Sequence, residues 1–409
     1  MLPWLNLGLP PTTSSAQADH ALNLSSYLAR LIASGQATSR SDLARMTGLA
    51  RSTVSEHLAP LLRIGLIAEF EADAGARGRP PLVLNLNSQA GVILVADIGA
   101  ARGRLAIADF GQHFLAERSI KTDVARRPET VLAEVRQEFL HMLAENAIEA
   151  SSVRLIVVGL PAPVDFSSAV PVRPPIMPGW DNYPVAAAFQ EAFAAPVLVD
   201  NDVNLMALGE ARCRPADRCP LLYVKVSTGI GCGIVTHDGQ LHRGADGAAG
   251  DIGHVRVRGH DEICRCGGVG CIEAFASYEA IVRKVGGDSE TIAVRSGDIG
   301  EAQVATLVRS AAEDIGEVIA MLVHFFNPAV IVLGGRMTQF GDEMLAGVRS
   351  VVYQRALPLA TRRLSVELST LGHRAGIIGA VVLGVEHVLS PRGLKSLLAG
   401  FLPRSPGED

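Results

Sequence analysis

No run of apolar residues in the 409-residue chain approaches the roughly 20 that a membrane-spanning helix needs, and Met1 to Pro11 holds prolines without the basic region of a signal peptide. Both absences lead us to expect a cytoplasmic protein with no membrane partner. An excess of positive charge is missing too: 37 Lys+Arg face 42 Asp+Glu, a net charge of -5, so nothing pulls the whole chain toward nucleic acid. Any DNA contact has to be made by one segment and read from pattern. Cysteine is scarce, six in all, yet Cys264, Cys266 and Cys271 fall within eight residues. Such a cluster in a cytoplasmic chain favours a metal over disulfides. Apolar residues, by contrast, make up 48% of the chain against 19% charged, enough for large cores and too much for disorder. At this length two or three domains are expected.

Residues 1 to about 18 are rich in Pro, Ser and Thr without periodicity and read as a loose arm. Leu24, Leu28, Leu31 and Ile32 then follow helical spacing. From Ser41 to Leu58, the residues Leu43, Ala44, Leu49, Val54 and Leu58 can close one small core, with Gly48 supplying the sharp turn of a helix-turn-helix. Its recognition-helix candidates are Arg51, Ser52, Thr53, Ser55, Glu56 and His57; Arg51 suits guanine, while the hydroxyls suit bases or phosphates. Two strands, Ile67 to Phe70 and Leu82 to Leu86, flank the basic, glycine-rich stretch Asp73 to Pro80. That is a wing, which would lay Arg77 and Arg79 along a phosphate backbone or minor groove. Met1 to Ala90 carries seven arginines, no lysine and six acidic residues, a formal charge of only +1. A second copy of the reading head, supplied by a homodimer or homotetramer, is therefore part of the expectation.

After Asn87 strands alternate with helices. Gly91 to Asp97, Arg104 to Asp109 and Phe114 to Ile120 read as strands, followed by a helix from Pro128 to Asn146 and a strand near Leu155 to Gly159. A similar order recurs about 130 residues later at Leu221 to Ser227, Gly233 to Thr236 and Gly239 to His242. Two related lobes around a cleft follow, completed by a helix Gln303 to Phe326, a strand Val330 to Leu333 and a helix near Gly376 to Leu389.

Three patterns carry chemistry. His254-x9-Cys264-x-Cys266-x4-Cys271 is a closed tetrahedral zinc set, which points to a structural metal. The glycine turns Asp97 to Gly103 and Ser227 to Gly233 each follow a buried strand, where free N–H groups can face a phosphate; tight hairpin turns would read the same. Val197 to Asp200 is an apolar strand running into Asn201, Asp202 and a helix from Leu205 to Arg212. A carboxylate at that strand end can accept a proton from a sugar hydroxyl, and the competing reading is helix capping by Asp200 or Asp202.

Together these motifs resemble the ROK family, named for repressors, open reading frames and kinases, from about Leu22 to Leu389. Asp97 and Gly99 look like its first phosphate turn, Ser227, Thr228, Gly229 and Gly231 like its second, and Gly334 and Gly335 like its adenosine-side turn. His254, Cys264, Cys266 and Cys271 match its zinc ligands. The resemblance implies an α/β, actin-like, sugar-kinase (ribonuclease H-like) two-lobed fold over residues 88–400, behind an arm (1–18) and an all-α-plus-wing winged helix-turn-helix domain (19–87). The first lobe would span about 88–205 plus 373–400, and the second about 206–372. It carries sugar contacts onto Asn201, Asp202, Asp251, His254 and Glu273, with Asp202 where the kinases keep their catalytic base and His254 both binding zinc and orienting the sugar. Departures point away from catalysis: Ala100, Ala101 and Arg102 stand where the kinases usually have Gly-Thr-Lys, and Arg336 follows Gly335 where small residues leave room for nucleotide. Asp251 replaces a usual glutamate, and Ala162 a common glycine, so the ligand's identity stays open. The expected function is a sugar-responsive regulator bound to operator DNA, a repressor of carbohydrate uptake or catabolism genes. The alternative is an ATP-dependent, glucokinase-like sugar kinase using Mg-ATP, alone or combined with regulation.

Overall fold

The computed structural model describes residues 17–71, 82–286 and 301–401. The expected arm before residue 17 and the wing-tip residues Arg77 and Arg79 lie outside these.

Three helices, α1 (Gln17–Ala33), α2 (Arg40–Thr47) and α3 (Arg51–Arg63), bury Leu28, Ile32, Leu43, Val54, Leu58 and Leu61 against one another. Helix α2 starts where the Ser39 hydroxyl accepts the Asp42 N–H at 3.1 Å, which satisfies one of the donors a helix start leaves open. It stops at Gly48, whose φ of +71° is left-handed and turns the chain into α3. Strands β1 (Ile67–Glu71) and β2 (Leu82–Leu86) pair antiparallel from Ile67↔Leu86 to Glu71↔Leu82.

The larger domain holds two sheets. The first is built from β3 (Val92–Ile98), β4 (Arg102–Asp109), β5 (Phe114–Lys121), then, after α4 (Pro128–Glu145), β6 (Val153–Leu160). A short hairpin β7 (Val164–Asp165) and β8 (Val170–Pro171), and a turn of helix α5 (Ala187–Gln190), lead to its last strand β9 (Val197–Asn201). The order is β5-β4-β3-β6-β9. All seven residues of β3 are buried, as a strand covered on both faces requires, whereas β5 alternates because one face meets solvent.

Helix α6 (Asp202–Arg212) crosses to the second sheet, which begins with β10 (Leu221–Val226) and β11 (Ile230–Val235). After α7 (Ile272–Ala276), α8 (Tyr278–Lys284) and α9 (Glu301–Phe326) come β12 (Val330–Gly334), α10 (Gly341–Arg355), α11 (Pro358–Thr361) and β13 (Ser365–Leu368). The order β11-β10-β12-β13 repeats β4-β3-β6-β9 of the first sheet, hairpin and parallel neighbours alike. The third strand expected at Gly239 to His242 does not form. The chain turns there through Thr236 N–H donating to the Gln240 carbonyl (2.9 Å), makes one bridge, Val235↔Leu241, and leaves for the cleft. Gly247 then packs so closely on β7 that a Cβ would stand 2.4 Å from the Val164 carbonyl oxygen, so this segment is committed to the other lobe.

Helix α12 (Ala375–Val388) returns to pack on β3, β6 and α6, and α13 (Pro391–Phe401) packs on α1. One apolar cluster therefore runs from Leu28 and Leu58 of the helix-turn-helix through Leu394 and Leu389 to Val381 and Val95. Among the described residues no single helix is long and apolar enough to cross a membrane.

Candidate ligand cleft, metal centre and nucleic-acid face

Between the sheets lies a cavity of about 760 Å³. It is lined by Asp97 and Gly99 at the end of β3, by Asn201 and Asp202 where β9 becomes α6, and by Ser227, Thr228, Gly229 and Gly231 between β10 and β11. Asp251, His254 and Glu273 close it from the second lobe, with Gly335 and Arg336 beyond β12. The two lobes thus bring together the five expected sugar contacts. Gly334 is not among the lining residues. A Cβ there would sit 1.8 Å from the Tyr223 hydroxyl oxygen, so that glycine serves the packing of β12 beside β10.

The N-cap of α6 is Asn201, whose Oδ1 accepts the Val203 N–H at 3.0 Å, rather than Asp200 or Asp202. Asp200 is buried and spent elsewhere, accepting from Asn204 Nδ2 (2.8 Å) and from Arg243 Nε and Nη2 (2.9 and 2.6 Å). Asp202 is buried and ion-paired with Lys225 of β10, across the lobes. Sequence reading missed Lys225, although a lone lysine inside the apolar strand Leu221–Val226 was a signal that a carboxylate faces it.

Burial pushes the Asp97 carboxyl up to about 7, helped by the charge of Asp202 and opposed by Lys225 and Arg104. The folded chain therefore holds a proton that the unfolded chain releases above its ordinary value of 3.8. This group's contribution to stability falls as pH rises from about 4 to about 7 and is flat above. Asp97→Asn is expected to raise the thermal midpoint by at least about 3 °C near pH 8, less than half as much near pH 5 and hardly at all near pH 3.5. A melting series across that range checks it; a gain that is the same at both ends contradicts it.

Glu273 Oε2 accepts the Ile230 N–H at 3.0 Å, and burial raises its carboxyl while that bond and His254 pull it down. Gly229 lets it in: a Cβ there would come within 2.6 Å of Glu273 Oε2. His254 stands between two groups, with Nδ1 3.6 Å from Cys264 Sγ and Nε2 3.9 Å from Asp251 Oδ1.

The donor atoms of His254, Cys264, Cys266 and Cys271 lie within 4.8 Å of one another, the one such group found among the described residues. Ordinary tetrahedral zinc bond lengths put two sulfurs about 3.8 Å apart and sulfur and nitrogen about 3.5 Å apart. The Cys266–Cys271 sulfurs are 3.8 Å apart and the Cys264–His254 pair 3.6 Å, so the set fits a tetrahedral divalent cation. Gly268 makes room, since a Cβ there would stand 3.0 Å from Cys271 Sγ. Without a cation, burial and neighbouring sulfurs push the Cys271 thiol up to about 12, so cation binding must displace protons.

The anion turns are largely closed on themselves. Gly99 N–H donates to the Arg102 carbonyl (3.0 Å), the Thr122 hydroxyl to the Gly99 carbonyl (2.7 Å), and Ser227 N–H to the Gly229 carbonyl (2.9 Å). Arg336 lies 4.4 Å from the Tyr278 ring centre with Nη2 3.4 Å from its hydroxyl, in the wall of the cavity.

On α3, Arg51, Ser52, Ser55 and Glu56 are exposed and Thr53 half-buried. His57 is half-buried, its Nδ1 3.4 Å from Ser25 Oγ, and the Ser25 hydroxyl donates to the His57 carbonyl at 3.1 Å. That residue ties α3 to α1.

A profile described as "ROK family" matches residues 93–386, and one described as "Bacterial regulatory protein, arsR family" matches residues 27–69. The xylose repressor of Caldicellulosiruptor bescii is 27% identical over 376 residues, covering 86% of this chain and 92% of that protein. The glucokinase of Thermotoga maritima is 28% identical over 289 residues, covering 64% of this chain and 89% of the kinase. A solved ROK family transcriptional regulator, described as a homolog of the E. coli MLC protein, superposes with a TM-score of 0.78 at 23% identity, covering 93% of this chain and all of that one. At that identity the superposition bears on the fold.

Proposed function

The chain belongs to the ROK family and carries an ArsR-type helix-turn-helix ahead of the sugar-kinase fold, and on that premise we propose that it is a sugar-responsive DNA-binding regulator, a repressor of carbohydrate uptake or catabolism genes. One observation carries the reading: a helix with Arg51, Ser52, Ser55 and Glu56 outward is built through a continuous apolar core onto a domain whose cleft is rich in hydroxyl-binding groups. Residues 19–87 form the reading head and 88–400 the sensor, with lobes at about 88–205 plus 373–400 and 206–372. Asn201, Asp202, Asp251, His254 and Glu273 hold the sugar, and their carboxylates accept from its hydroxyls. His254, Cys264, Cys266 and Cys271 hold zinc, which in such a closed set supplies structure and fixes the ring of His254 so that Nε2 faces the cleft.

Asp202 is what favours a kinase as the second reading. Against it stand the Lys225 ion pair on that carboxylate, the self-closed turn at Gly99 and the guanidinium of Arg336 in the cleft wall. A coupled ATP-turnover assay across hexoses and N-acetyl amino sugars is expected to give no rate above the Asp202→Asn control. Turnover of about 1 to 100 per second would establish the kinase.

The reading head needs a partner copy, because one head with a formal charge of +1 over Met1 to Ala90 gains little from phosphates. Phe325, Leu359, Leu357 and Met321, 90, 78, 65 and 47% exposed, gather where the end of α9 meets α11. Arg355 Nε donates to Glu317 Oε1 at 2.9 Å on the rim, so both signs of charge are present for a two-fold partner to match. A second copy of the chain covers this face. Phe325→Glu is expected to halve the mass seen by sedimentation and to weaken operator binding at least about tenfold with sugar binding kept. An unchanged mass would move the interface elsewhere.

A further inference from the structure

Helix α6 begins in the cleft at Asp202 and ends at Arg212, and ten of its eleven residues are buried. It cannot shift alone. A Cβ on Gly379 of α12 would stand 1.7 Å from the Leu205 carbonyl oxygen, and one on Gly209 would stand 2.5 Å from that of Ala375, so the two backbones are in contact. At the far end of α6 one guanidinium, 3% exposed, joins three elements. Arg212 Nε and Nη2 donate to Glu386 Oε1 of α12 at 2.8 and 2.6 Å, and Nη1 donates to the Gly239 carbonyl, in the turn of the second lobe after β11, at 2.7 Å.

The reading head is attached at the same place. The Ser26 hydroxyl of α1 donates to the Leu389 carbonyl at 2.6 Å, one turn beyond Glu386. Arg30, one turn further along α1, is half-buried in the fields of Glu386 and Arg212. The carboxylate that Arg212 holds thus lies within the electrostatic reach of Arg30 of the reading head, beside the Ser26–Leu389 bond that fastens α1 to the end of α12. A buried ion pair is a poor way to gain stability over an apolar pair of the same volume. Its directed hydrogen bonds do fix positions, which apolar packing does not.

We propose that Arg212 and Glu386 are the positioning residues that pass closure of the cleft to the helix-turn-helix. This rests on the regulator reading and adds its route. When a sugar draws the second lobe onto the first, the end of α6 and the Gly239 turn, both carried by the second lobe, move together against α12. Arg212 follows that turn, and Glu386 is redistributed from Arg212 toward Arg30, which reorients α1 and with it α3. The two states of one carboxylate are the bistable element that coupling requires.

The test uses the full-length protein and its Glu386→Gln, Arg212→Lys and Arg30→Gln variants. Fluorescence anisotropy reads binding to DNA from upstream of its own coding sequence, with and without D-xylose, D-glucose or N-acetyl-D-glucosamine, and calorimetry reads sugar binding. In the unaltered protein one of these sugars changes operator affinity by about 5- to 150-fold. In Glu386→Gln, sugar affinity and sugar-free operator affinity stay within about threefold, and the sugar-induced change falls to about twofold or less. Arg212→Lys, which keeps the charge but cannot reach both partners, falls between. Arg30→Gln lies in the reading head, outside the cleft lining, and loses the response too, which decides the matter if Glu386→Gln fails to fold. Full sugar response in Glu386→Gln or in Arg30→Gln overturns the proposal. Absence of any sugar effect in the unaltered protein overturns the regulator reading itself.

Discussion

His254→Ala is expected to weaken sugar binding at least about 100-fold, about 2.7 kcal/mol, and to abolish retention of the zinc proposed for this site in the same step. One ring is placed for both proposed jobs: Nδ1 lies 3.6 Å from Cys264 Sγ, and Nε2 lies 3.9 Å from Asp251 Oδ1 in the cavity wall. Removing it takes a donor from a sugar hydroxyl and leaves Glu273, whose carboxyl burial raises, without that neighbour. It also leaves three thiols, of which Cys271 is pushed up to about 12, to bind a cation against their own protons. Cys266→Ser separates the two roles, because Cys266 is the exposed member of the set and its loss spares the imidazole. That variant should lose zinc as readily while keeping sugar affinity within about tenfold. Calorimetry with sugar and the zinc-to-protein ratio by atomic emission report both quantities. Wild-type sugar affinity in His254→Ala would remove His254 from the ligand site.

Arg51→Ala carries the largest expected effect at the other end of the molecule. Arg51 is the first residue of α3 and exposed, at the helix end that in the proposed reading enters a major groove. A bidentate arginine–guanine contact is worth about 1 to 3 kcal/mol, so with two heads on a two-fold site the loss is at least about 30-fold. Footprinting of the upstream DNA should lose its protected region at concentrations that saturate the unaltered protein. His57→Ala tests a different role: because His57 lies against Ser25, its loss should loosen α3 on α1 and lower the melting point without changing which bases are protected. Unchanged protection in Arg51→Ala would place the reading surface elsewhere.

What the sequence made legible is what it encodes locally. The helix-turn-helix could be found because Gly48 and the burial of Leu43, Val54 and Leu58 lie within one short stretch. The metal set could be found because three of its four donors share a single loop. Partners brought together only by closure of the lobes were not legible. Lys225 meets Asp202, and Arg243 meets Asp200, between the lobes; the lone lysine of β10 signals a facing carboxylate, but no local pattern says which one, and none announces Arg243. The missing strand at Gly239 to His242 failed for the same reason. Its turn residues looked like those of the first lobe, but Gly247 packs on Val164 of the opposite lobe and draws the chain away. Gly334 follows its strand as a nucleotide-turn glycine would; only the Tyr223 hydroxyl beside it shows that a side chain there would collide with β10.

The central claim is that one chain reads DNA and lets a sugar decide how tightly. Operator affinity measured by anisotropy on DNA from upstream of its own coding sequence, titrated with a panel of pentoses, hexoses and N-acetyl amino sugars in the presence of Mg-ATP while ADP is followed in the same samples, tests it most directly. The account predicts that at least one sugar changes the affinity by about 5-fold or more with no ADP formed. ADP produced at kinase rates, with no binding to that DNA in any condition, would contradict it.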